Sequence, residues 1–225
     1  MKKIDSLFFE LLQVSIGRMD CLSRGPEPEE WQQLYEISKQ QHVEGITYHG
    51  VMKLFEFGLR APQDISLDWM AESESIRETN EMAEKPSVLA RYYDEELLDL
   101  RQQPANEVPT VSKMTIEYIY QQYLQNKLDL GLLLDYYYVL QKSNAKYETL
   151  KGGSLLDAWG VRRFARGLMW MLQETLKFDK QYMTFEPLEI EGRFLLNEVM
   201  QEASKWERVT HVLFTYPLGI KDLRA

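Results

Sequence analysis

Lys151-Gly152-Gly153-Ser154 is the stretch of this chain whose residue types and spacing best match phosphate chemistry. Two adjacent glycines ahead of a helix let backbone N–H groups close around phosphate oxygens, and a lysine adds positive charge. Nucleotide transfer needs a second part. An Asp-x-Asp or Asp-x-Glu pair on a neighbouring strand, with a third carboxylate beyond, holds two Mg²⁺ ions against the attacking and leaving oxygens. Downstream come Asp157 and then Trp159-Gly160-Val161-Arg162-Arg163, with no such pair and no strand pattern. A lone glycine-rich match also describes an ordinary helix-entry loop, and that is the expectation for these four residues.

Arg162, Arg163 and Arg166 fall on one face of a helix, with Lys151 not far upstream. Such a face can grip a phosphate or an acidic partner. In an acidic protein it can equally be consumed by internal salt bridges, which is the expectation here. Asp94-Glu95-Glu96 with Asp99, and Asp68 with Glu72 and Glu74, read as solvated helix faces, because a metal needs carboxylates converging from a rigid site. Asp129 and Asp135 flank an apolar run. Asp135 stands beside Tyr136, Tyr137 and Tyr138, a context for a buried hydrogen bond or ion pair.

His42 and His49 are seven residues apart, too far for an i, i+4 ligand pair, and His211 is remote in sequence, so zinc is not expected. Cys21 has no histidine close by in sequence and reads as an inert thiol. No Ser-His-Asp or Cys-His arrangement is legible. No catalytic residue, metal ligand or resident cofactor is assigned, and Mg²⁺ would enter only with nucleotide-transfer chemistry.

Composition narrows the classes further. The chain has 225 residues, 44% of them hydrophobic, including thirteen Tyr, nine Phe and five Trp. That is ample for a sizeable core. The formal net charge of −9 and pI of about 5.0 argue against a nonspecific hold on nucleic acid or an anionic membrane. Expected partners are therefore another protein or a second copy. Cys21 is the only cysteine, which excludes an intrachain disulfide and fits a reducing compartment. Asp5 and Glu10 interrupt the apolar run at the N-terminus, so it does not read as a signal peptide. No stretch is long and apolar enough to span a bilayer, and the expected location is the cytoplasm.

The elements that must position these residues are helices. Ile4, Leu7, Phe8, Leu11 and Leu12 recur at helical spacing, with Gly17 as a stop. Trp31, Leu34, Tyr35 and Ser38 define the inner face of a second helix behind Gly25-Pro26-Glu27-Pro28. A third runs from His42 to Phe57 with Ile46, Val51, Leu54 and Phe55 inside, and a long polar helix spans about Asp64 to Glu84. Lys85-Pro86 is a break. A short helix from Val88 to Arg101 precedes a loop from Gln102 to Pro109. Ile116, Ile119, Tyr120, Tyr123 and Leu124 form a stripe, and Leu132 to Gln141 is another helix. The strongest helix begins near Leu155, with Val161, Phe164, Ala165, Leu168, Met169, Leu172 and Leu176 on one face. The last, about Glu189 to Arg208, turns Phe194, Leu195, Val199, Ala203 and Trp206 inward. The tail from Val209 to Ala225 holds the best strand candidate, up to Tyr216. The fold class is mainly α, as two packed helical bundles or one continuous multi-helix domain, with little or no sheet. The regions are 1–84, a connecting segment 85–109 with a short helix, and 110–225.

Three segments carry a family likeness: Leu130-Gly131-Leu132-Leu133-Leu134-Asp135-Tyr136-Tyr137-Tyr138-Val139-Leu140; Gly160-Val161-Arg162-Arg163-Phe164-Ala165 running into Met169-Trp170-Met171-Leu172; and Glu191-Gly192-Arg193-Phe194-Leu195-Leu196-Asn197-Glu198. They resemble the trailing helices of a bacterial family of uncharacterised nucleotidyltransferases common in gut Bacteroidetes. Leu11-Leu12, Trp31 and His42-Val43-Glu44-Gly45-Ile46 resemble its leading helices. The resemblance implies a catalytic sheet between the two blocks, with a Lys-Gly turn and an Asp-x-Asp pair. Here only Lys85 to Asn106 joins them, too short for such a domain, and tyrosines stand at 118 and 120 where relatives tend to show histidines. No catalytic residue carries over. The resemblance thus implies a non-catalytic, interaction or regulatory relative of the family. The alternatives are a nucleotidyltransferase moving a nucleoside monophosphate from an NTP with Mg²⁺, and a module that binds a nucleotide or acidic ligand through Arg162, Arg163 and Arg166.

Overall fold

The computed structural model describes residues 3–81, 116–142, 161–201 and 210–211. Among them are eight α-helices and no strand, so the protein is mainly α. The helices are α1 (Lys3–Ser15), α2 (Pro28–Gln40), α3 (Glu44–Glu56), α4 (Gln63–Glu81), α5 (Ile116–Leu124), α6 (Leu130–Lys142), α7 (Val161–Leu176) and α8 (Glu189–Val199), with a 3₁₀ turn at Lys180–Tyr182. The chain divides into two units. The first holds α1 to α4 together with Leu130–Asp135 and Thr175–Lys177; the second holds α5, Tyr136–Glu174 and the residues from Phe178 onward.

In the first unit, α1 packs chiefly on α3, and α3 on α4. Gly50 permits the first contact, because a Cβ there would run into the Ser15 hydroxyl and the Leu11 backbone. Phe8, Leu11, Leu12, Trp31, Leu34, Leu54 and Trp69 are essentially sealed from water. Proline at N1 and acids in the first turn start α2, as helix polarity favours. Glu30 accepts from the Glu27 backbone N–H at 2.9 Å and from the Arg24 guanidinium, which closes that end. These two donors, Arg24 first, hold the Glu30 carboxyl at about 2, well below its ordinary value.

Two buried glutamines serve helix ends far away in sequence. Gln41 accepts from Leu130 N–H through its side chain (3.2 Å) and from Gly131 N–H through its backbone (3.1 Å), satisfying the start of α6. Gln13 donates to the Thr175 carbonyl at 2.8 Å, in the last turn of α7. In the second unit, Phe164 lies between Tyr120 (5.2 Å between ring centroids) and Tyr123 (5.1 Å), and Tyr137 packs on Phe178 at 5.1 Å.

Several expectations need correction. Phe55 is not an inside residue of α3: it is 49% exposed, because Leu54 and Val51 take the inner face and Phe55 lies about 100° further round. His42 precedes α3 with φ of 53°, outside the helix. The helix that starts at Glu189 ends at Val199 and not near Arg208, because Gln201 adopts φ of 57° and its N–H turns back to the Glu198 carbonyl. Phe194 is half-buried, and Thr210 and His211 are helical where a strand was the candidate. The Lys85-Pro86 break, the Val88–Arg101 helix, the loop to Pro109, Ala203, Trp206, Phe214 and Tyr216 lie outside the described residues.

Candidate functional site

The densest polar constellation in the second unit forms where α7 crosses α8. The crossing is close because each helix offers a glycine to a large side chain of the other. A Cβ on Gly167 would lie 2.6 Å from Glu191 Cγ, and a Cβ on Gly192 would overlap the Trp170 ring. The Leu188 N–H donates to the Arg166 carbonyl at 2.9 Å and fixes the start of α8 against α7. Glu191 follows in the first turn of α8, where the helix dipole favours an acid.

Glu191 is fully buried, a position that an isolated carboxylate cannot hold without large cost. Both of its oxygens are occupied. Arg163 Nε donates to Oε2 at 2.6 Å, and His211 Nε2 stands 3.2 Å from Oε1. The other imidazole nitrogen, Nδ1, lies 3.4 Å from the Tyr123 hydroxyl, and Phe194 stacks on the ring with centroids 3.6 Å apart. With the ring neutral, these partners select the tautomer protonated at Nε2: it donates to Glu191 and leaves Nδ1 to accept from Tyr123. A hydroxyl, an imidazole and a carboxylate in line are the parts of a proton relay. Tyr123 is only 2% exposed and lies against Phe164, so the three groups lie within an internal hydrogen-bond network.

Of the residues singled out in the sequence, Arg162, Arg163 and Arg166 share α7. Lys151, Gly152, Gly153, Ser154 and Asp157 lie outside the described residues. Arg163 is bound to Glu191, and Arg166 Nε donates to the Glu186 carbonyl at 3.0 Å. Arg162 is exposed. Asp135 is buried at 1% exposure, as its apolar setting implies, and Asp129 is half-buried. Tyr136 and Tyr137 are buried too, leaving Tyr138 half-buried. His42 is exposed. His49 is half-buried, and burial, with help from Lys53, pushes its pKa down to about 4. Among the described residues, no group of three or more His, Cys, Asp or Glu side chains is arranged to hold a metal, and no helix is long and apolar enough to cross a membrane. Cys21 is exposed.

In the sequence Glu191 stood only in a family-like segment and His211 was set aside as a metal ligand, and neither was read as a site residue. They are 20 residues apart by number and belong to no recognised spacing. The one local signal was Gly192 beside Glu191 inside an otherwise helical run, which marks a close approach of another element. Comparison of the chain with protein-family models, with curated proteins and with solved structures finds no match.

Proposed function

We propose that this chain is a non-catalytic helical module that works by binding a protein partner or a second copy, and that it is related to the nucleotidyltransferases its sequence resembles. The observation that carries this reading is the pairing of Arg163 with the fully buried Glu191. An arginine that grips a phosphate must be able to turn to it. Arg163, its side chain half-exposed, instead pairs with a buried carboxylate that also faces His211, and breaking the pair from one side costs about 1–3 kcal/mol. Arg166, bonded to the Glu186 carbonyl, is also occupied by the fold. On this account Arg163 and Arg166 serve as scaffolding, with no resident cofactor required. The acidic balance supports a partner that is neither nucleic acid nor membrane, the lone cysteine a cytoplasmic setting, and the resemblance alone a bacterial one.

The test is a thermal melt with ATP, CTP, GTP and UTP, each with and without Mg²⁺. The module reading expects no shift with any of them at millimolar concentration. A Mg²⁺-dependent rise for one nucleotide would overturn it in favour of nucleotidyl transfer, with Lys151 to Ser154 the first segment to probe.

A further inference from the structure

We propose that Tyr123, Glu191 and Phe194 form a recognition site for an imidazole ring, and that His211 occupies it as a latch pinning the backbone that follows α8 onto that helix. Both nitrogens and one face of the ring are met, each by a different side chain. Glu191 Oε1 lies 3.2 Å from Nε2, the Tyr123 hydroxyl lies 3.4 Å from Nδ1, and the Phe194 ring stacks at 3.6 Å between centroids with 22° between planes. The His211 side chain is only 12% exposed. The groups that meet the ring are seated by contacts of their own. Arg163 holds the other oxygen of Glu191 at 2.6 Å, and Gly167 leaves room for the Glu191 stem. Tyr123 is sealed against Phe164 at 5.1 Å. These supports come from α5, α7 and α8, so the site is organised before the ring enters it.

Hydrogen-bond polarity selects the occupant. A carboxylate only accepts, so Glu191 requires a ring N–H, and the Tyr123 hydroxyl then has a second ring nitrogen to donate to. Among protein side chains, histidine alone carries a donor and an acceptor nitrogen in one flat ring. The position of His211 explains the latch. Glu191 and Phe194 belong to the first two turns of α8, whereas the chain leaves that helix at its other end, where Gln201 turns with φ of 57°. The eleven residues of α8 span about 16 Å. By His211 the chain has therefore doubled back to the beginning of α8, and the imidazole contacts fix where it returns.

Thermal melts of the full chain at about pH 8, where an unperturbed imidazole is neutral, test the proposal. His211→Gly should melt about 2–8 °C below the wild type. Imidazole at about 50 mM should recover about 2 °C or more of that loss, and should leave the wild type unmoved because its site is filled. 1-Methylimidazole, which has no N–H for Glu191, should recover about half as much or less. An unchanged melting temperature in His211→Gly, no response to imidazole, or an equal response to both compounds overturns the proposal; the last marks a plain cavity. If His211→Gly does not fold, the wild type answers alone. Nitrogen-detected NMR of its three histidine rings, assigned with His42→Gln and His49→Gln, should show His211 as the single tautomer protonated at Nε2. A ring protonated at Nδ1, or averaging between tautomers, overturns the proposal. None of these results touches the module reading, which falls only if a nucleotide raises the melting temperature.

Discussion

Arg163 on α7 and the fully buried Glu191 on α8 are joined at 2.6 Å, and Glu191 sits directly over Gly167, one turn further along α7. The glycine makes room for the carboxylate, and the arginine makes its burial tolerable. Two properties of this pair and its glycine can be measured, and two more at His49 and Asp135.

Gly167→Ala should destabilise the protein. In an unobstructed helix interior this change stabilises by about 0.5–1 kcal/mol. Here the new Cβ would lie 2.6 Å from Glu191 Cγ and 3.0 Å from Leu195 Cδ1, so overpacking of about 1–3 kcal/mol reverses the sign. Chemical denaturation of the wild type and the variant decides it.

Arg163→Met should cost about 1–3 kcal/mol, because it takes the half-exposed guanidinium from the buried Glu191 and leaves it only its other partners, His211 among them. Arg163→Met/Glu191→Met should cost less than Arg163→Met alone, since the double change also removes the buried charge. Additive losses in the cycle would mean the two side chains are not energetically coupled.

His49 gives a pH dependence of defined sign. Its folded pKa is about 4, below the ordinary 6.5, chiefly through burial. The unfolded chain therefore binds the proton first as pH falls, and stability drops between about pH 6.5 and pH 4. Above that window both states are neutral and His49 contributes no slope. Stability measured across pH 4 to 7 should fall less steeply on acidification in His49→Gln than in the wild type. Identical slopes would contradict the assignment.

Asp135→Ala should destabilise by about 1–3 kcal/mol, because it removes a buried side chain together with the interaction it makes. Asp64→Ala, on the exposed first turn of α4, should stay within about 0.5–1 kcal/mol. Equal melting temperatures for the two variants would show that burial does not separate them.

The helical class and much of the core were legible in the sequence because they follow from apolar spacing. Trp31, Leu34, Tyr35 and Ser38 are the buried residues of α2, and the apolar face of α7 from Val161 to Leu176 is buried throughout. Periodicity failed where a residue lies at the edge of its stripe, as at Phe55, or where a backbone turn ends a helix that composition would continue, as at Gln201. The polar relationships were illegible for a different reason. Gln41 with Leu130, Gln13 with Thr175, and Arg163 with Glu191 and His211 are each separated by tens of residues or more. No local pattern encodes which buried donor will meet which acceptor across a fold. The apolar setting of Asp135 did foretell its burial. The glycine-rich run from Lys151 to Ser154 lies outside the described residues.

The central claim is that Arg163 serves the fold and not a ligand. The most direct measurement is the melting temperature of the wild type and Arg163→Met, each alone and with Mg²⁺ and each nucleotide in turn. The account predicts a drop for Arg163→Met without nucleotide, and the same drop with it. An unchanged melting temperature for unliganded Arg163→Met, together with a nucleotide-dependent rise in the wild type that the variant loses, would contradict it.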